Sequence, residues 1–165
     1  MITKTDVPIC GTHPGAAGKS KGHESGGSMR EILFRGKAIL EGIWVEGDLN
    51  QFSDGCKCIV DSEMDCFRVI PETVGQHTGL TDKNGKKIFE GDILQIIGYG
   101  EVIDRCVIGY GIYDSYGGTK GSVGFYLYWK TDKKQSRKYS NPAFWVNVRE
   151  AVCIGNIHDN PELLA

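Results

Sequence analysis

The chain has 165 residues, 40% hydrophobic and 24% charged, with a formal net charge of −2 at neutral pH. That is the balance of a globular protein large enough to bury its own core. It gives no long-range attraction to nucleic acid or anionic membrane, so a histone-like role is disfavoured. The 23 Gly against 5 Pro suit short strands joined by tight turns, and a mainly β fold is expected. No run of 18 apolar residues is present, and the start lacks a secretory apolar core. A cytoplasmic location is expected from this, and there the 6 Cys would stay reduced.

Residues 1–28 stand apart. From Gly11 to Ser28 the chain is rich in Gly and Ser and almost free of large apolar side chains, so burial cannot offset the entropy of ordering it. It is read as a disordered tail, with Met29 as a candidate native start. Gly18-Lys19-Ser20 resembles the end of a phosphate-binding loop, but the required first glycine falls on His13 and no strand precedes it. Nucleotide binding there is not expected.

From Met29 onward, short extended segments alternate with glycine turns. Arg30 to Arg35 and Gly42 to Glu46 predict a first hairpin turning around Leu40 to Gly42. Asp48 to Phe52 and Cys58 to Val60 predict a second, divided by Ser53-Asp54-Gly55, and Phe67 to Ile70 closes this β region over residues 29–72. In the stretch from Thr73 to Leu94, Asn84-Gly85 signals a hairpin of type I′. Glu90-Gly91-Asp92 then reads as a sharp turn feeding the core strand Ile93 to Ile97. Glu101 to Ile108, Val123 to Trp129, Phe144 to Val148 and Ala151 to Ile154 all have strand composition. Pro161-Glu162-Leu163-Leu164 begins one terminal helical turn. Short strands at regular spacing predict a small β-barrel or roll.

Three blocks resemble the YopX family of phage- and prophage-encoded proteins: Arg30 to Lys37 with Trp44 to Leu49, Pro71 to Leu94, and Ile154 to Leu164. The resemblance implies a β fold with an SH3-like barrel over residues 73–165. It also implies self-association into a homo-oligomer, and no established activity. The tail before Met29 and the Gly/Tyr-rich insert between Ile108 and Val123 depart from the family pattern.

Several residues carry chemistry worth weighing. Cys56 and Cys58 share a strand face with Cys66 beyond a loop. The Cys-x-Cys spacing is too short for the usual zinc pair, and Asp61, Asp65 or the distant His77 would have to supply a fourth ligand. Packed, reduced thiols are preferred to a metal, and no cofactor is expected. His77 and His158 are read as hydrogen-bonded turn histidines. The acids Asp48, Glu90 and Asp92 are read as caps on backbone N–H groups in turns rather than as a catalytic carboxylate pair.

Lys130, Lys133, Lys134, Arg137, Lys138 and Tyr139 form the one local basic concentration, and together with Trp129 they are a candidate nucleic-acid surface. A solvated lysine-rich hairpin tip is the plainer reading. Tyr110, Tyr113 and Tyr116, set among glycines, are a candidate recognition loop for a second copy or for a host or phage protein. The expected function is therefore a non-enzymatic oligomeric binding module. A nucleic-acid- or nucleotide-binding barrel and a metal- or carboxylate-dependent hydrolase are the alternatives.

Overall fold

The computed structural model describes residues 31–114, 120–129 and 141–165. Its strands form two antiparallel sheets, so the fold is mainly β. The first sheet begins as a meander: β1 (Phe34–Lys37), β2 (Trp44–Gln51), β3 (Lys57–Val60) and β4 (Cys66–Val69) pair in sequence order. Ala38 bridges Val69, with Ile39 N donating to Arg68 O at 2.9 Å, so the meander curls back on itself. Its concave side holds a small core of Ala38, Val45, Ile59 and Val69, extended by Phe34, Leu49 and Phe67.

The segments expected separately at Gly42 to Glu46 and Asp48 to Phe52 are one strand, β2. Gly47 continues it because β3 crosses so closely that a Cβ there would strike the Val60 carbonyl. Backbone contact takes the place of a break.

Beyond the 3₁₀ turn Pro71–Thr73, β5 (Gly75–Thr81) pairs with β1 and with β6 (Lys87–Phe89), giving the order β4-β3-β2-β1-β5-β6. The hairpin at Asn84-Gly85 is present, but its turn is not type I′. Only Gly85 has positive φ (82°), and Asn84 does not. Gly85 N donates to Asp82 O, and Asp82 N donates to Lys86 O. The Asp82 side chain accepts from Asn84 N and Lys86 N, which holds an ordinary turn followed by one left-handed glycine.

The second sheet has the order β10-β7-β8-β9, from β7 (Asp92–Gly98), β8 (Glu101–Tyr113), β9 (Ser122–Trp129) and β10 (Glu150–Asn156). Leu94, Ile96, Cys106, Ile108, Leu127 and Ala151 form its core, joined by Ile88 from the first sheet. Phe144 to Val148, expected as a strand, lies in helix α1 (Pro142–Val148). Asn141 caps it by accepting from Ala143 N, and Pro142 sits in the first turn where its missing N–H costs nothing. The apolar spacing serves this helix by placing Trp145 edge-on to Trp129, ring centroids 4.9 Å apart.

Among the described residues neither sheet closes. The second sheet ends openly at β9 and β10, with α1 packed against both. The barrel expected over residues 73–165 is thus not a closed one. The terminal helical turn is present as a 3₁₀ turn at Pro161–Leu164.

Candidate functional site

Glu90-Gly91 forms the corner between the two sheets. Gly91 has φ +83°, a left-handed conformation costly for any residue with a Cβ. In that conformation its N–H donates to Ile108 O at 2.8 Å and its carbonyl accepts from Ile157 N at 2.9 Å. One residue thus joins β8 to the C-terminal turn. Beside it, Asp92 is 1% exposed. It accepts from Phe89 N at 2.8 Å and pairs with Arg35 Nη2 at 2.5 Å. The Arg35 guanidinium lies over the Trp44 and Phe89 rings, 4.8 and 4.6 Å from their centroids.

The C-terminal turn is held from two sides. Asn156 Oδ1 accepts from the backbone N–H groups of His158 and Asp159. The Asp159 carboxylate accepts from Lys37 Nζ at 2.6 Å and Trp44 Nε1 at 2.5 Å. The Lys37 and Trp44 donors bring the Asp159 carboxyl down to about 2. This clamp sets His158 close to Trp44, ring centroids 6.0 Å apart.

Between corner, C-terminal turn and second sheet lies a cleft of about 410 Å³. Its polar lining includes Glu72, Glu90, Tyr126, Tyr128 and His158, and among the described residues no Lys or Arg lines it. Burial pushes the Glu90 carboxyl above its ordinary value, against a smaller opposing pull from the Gln76 backbone N–H. Tyr126 lies so close across Gly109 that a Cβ there would come within 2.6 Å of the ring. Tyr113 continues this aromatic face, 5.5 Å from Tyr126 between centroids.

Past Val107, β8 leaves β7, and among the described residues it pairs there with β9 alone. From Ile108 to Tyr113 and Ser122 to Leu127 the two strands form a projecting ribbon. On one side of its root Ile108 and Leu127 are buried, and farther out Tyr110, Ile112 and Val123 are 51%, 77% and 67% exposed. Tyr110 packs edge-on against Phe125 at 5.1 Å.

The residues expected from sequence are distributed unevenly. Tyr110 and Tyr113 lie on the ribbon, and Tyr110 also borders the cleft. Tyr116, Lys130, Lys133, Lys134, Arg137, Lys138 and Tyr139 lie outside the described residues, as does Gly18-Lys19-Ser20. Cys58 is buried in β3 while Cys66 is exposed at the start of β4 and Cys56 precedes β3. Burial, then the neighbouring Cys66 and Cys56 thiols, pushes Cys58 up to about 12, so it is neutral at physiological pH. Among the described residues no three His, Cys, Asp or Glu side chains are grouped to hold a metal ion.

His77 is not a turn residue. It lies in β5, 5% exposed, with its ring 5.3 Å from Phe89. Asp92 does cap Phe89 N, as expected of it. Asp48 instead lies within β2 opposite Val60, and Glu90 borders the cleft. Glu72, Tyr126 and Tyr128 were not legible as site residues. The alternation of Tyr126 and Tyr128 within one strand was the available signal, since it sets both on the face opposite buried Leu127.

Residues 33–165 match the YopX protein family. The chain belongs to the YopX family. The YopX match runs from just before β1 to the last residue, so the corner, the cleft and the ribbon all lie within it. This YopX family member is also similar to the crystal structure of protein EF1440 from Enterococcus faecalis, at 23% identity and a TM-score of 0.44. That alignment covers 83% of this chain and 100% of that one. No curated protein matches it. Among the described residues no helix is long and apolar enough to cross a membrane.

Proposed function

We propose that this YopX family member is a non-enzymatic, homo-oligomeric binding module of phage or prophage origin. It acts in the bacterial cytoplasm on a host or phage protein. The observation that carries this reading is the projecting ribbon of β8 and β9. A lone two-stranded ribbon is marginally stable in water. This one exposes Tyr110, Ile112 and Val123 on the side continuous with the buried core. Covering that side with the same ribbon of a second copy would bury apolar surface symmetrically, as closed oligomers do.

Sedimentation velocity on the full chain tests the reading. The parent protein is expected to sediment as an oligomer. The double variant Ile112→Asp with Val123→Asp is expected to sediment as a monomer with an unchanged far-ultraviolet spectrum. A parent that stays monomeric at high concentration would remove the oligomer from the reading.

A further inference from the structure

We infer that the cleft at the Glu90 corner receives a lysine or arginine side chain carried on a segment of a partner protein. This rests on the reading of the chain as a binding module, but not on its oligomeric state.

The first argument is charge. Two carboxylates, Glu72 and Glu90, border the cleft, and among the described residues no cationic side chain borders it or forms an ion pair with Glu90. A partly buried carboxylate without a counter-charge is costly, and a cation brought by a ligand relieves that cost. His158 also borders the cleft, and an imidazole nitrogen can accept a hydrogen bond from an ammonium or guanidinium.

The second argument is aromatic. Tyr126 and Tyr128 line the same cleft, Tyr128 being 43% exposed. Tyrosine faces attract cations electrostatically and also pack on the methylene stem of lysine or arginine. The protein already makes this contact elsewhere, with the Arg35 guanidinium over two rings and Arg149 over Tyr99 at 5.3 Å.

The third argument is shape. About 410 Å³ is more room than one side chain fills, and Val74, Val107 and Ile157 add apolar walls. Those walls suit the residues flanking a charged side chain better than a small free cation.

The test is a calorimetric titration of the full chain with the acetylated, amidated peptide Ala-Arg-Ala-Arg-Ala and with its citrulline counterpart. The arginine peptide is expected to bind and the citrulline peptide not to. Glu90→Gln should weaken binding about tenfold, less than the loss seen for a fully desolvated charge pair because Glu90 is only half-buried. Glu63→Gln, the same charge change on the exposed turn before β4, should leave it unchanged. If Glu90→Gln does not fold, Tyr128→Leu at an exposed position serves instead, with a loss of about threefold.

Equal affinity for the citrulline peptide, or equal weakening by Glu63→Gln, would overturn the assignment. Binding of N-acetylarginine amide as tightly as the peptide would overturn the partner segment as its source. Peptide binding is read separately from sedimentation, so failure of the cleft and failure of the oligomer are distinguishable.

Discussion

Removing the Arg35 guanidinium would leave the Asp92 carboxylate 1% exposed with the Phe89 N–H as its remaining donor among the described residues. Breaking a buried pair from one side typically costs roughly 3–5 kcal/mol. Arg35→Met is therefore expected to lower unfolding free energy by about that amount in urea titrations, with the slope unchanged. Asp82 is a second such point. Burial favours its neutral form, but the N–H groups of Cys153, Lys86 and Asn84 outweigh burial and hold the carboxyl below its ordinary value. Its contribution is present above the ordinary carboxylate range and is lost as pH falls through the depressed folded value. Asp82→Ala should cost about 2 kcal/mol at neutral pH, by thermal or urea unfolding, because its backbone donors lose their acceptor. Gly85 was legible in the sequence because turn chemistry is local. Asp82 was not, because its third donor, Cys153, comes from β10.

At the scale of elements, the C-terminal turn is docked onto β1 and β2 by the Asp159 carboxylate. Asp159 has its folded value near 2, below the ordinary 3.8, owing first to Lys37 and then to Trp44. The docking contribution is complete above about pH 4 and disappears as pH falls toward 2. Titration of the Asp159 carboxyl carbon by NMR is expected to give a midpoint near 2 in the parent and a higher one in Lys37→Ala, still below the ordinary value because the Trp44 N–H continues to donate. The group is about one-third exposed, so salt should weaken the effect.

Helix α1 shows why composition misled. Phe144, Trp145, Val146 and Val148 have strand character, yet the preceding Asn141-Pro142 is a helix-start signal, and packing of Trp145 and Val146 on the second core decides the outcome. The hairpins from β1 to β6 were readable because their turns are close in sequence. The strand partners β1 with β5 and β7 with β10 were not, since register between distant segments follows from packing.

For the molecule as a whole, the two sheets are not independent bodies. Ile88 of β6, in the first sheet, is buried in the second core, and the Gly91 N–H at the corner donates to Ile108 O of β8. The cleft arises where these connections meet, drawing on Glu72, Glu90, Tyr128 and His158 from separate parts of the chain. No local pattern could announce it. The family blocks around Glu90 and His158 are legible as turns, and only their convergence makes them a site.

The three tryptophans happen to divide the molecule into two optical territories. Trp44, hydrogen-bonded to Asp159, sits where the C-terminal turn meets β1 and β2. Trp129 and Trp145 lie edge to face in the second core, at an interplanar angle of 66°. Light absorbed by the second pair couples the two indoles, so its near-ultraviolet dichroism follows the core. Emission from Trp44 follows the clamp instead, and the chain carries its own means of telling a loosened terminus from an unfolded protein.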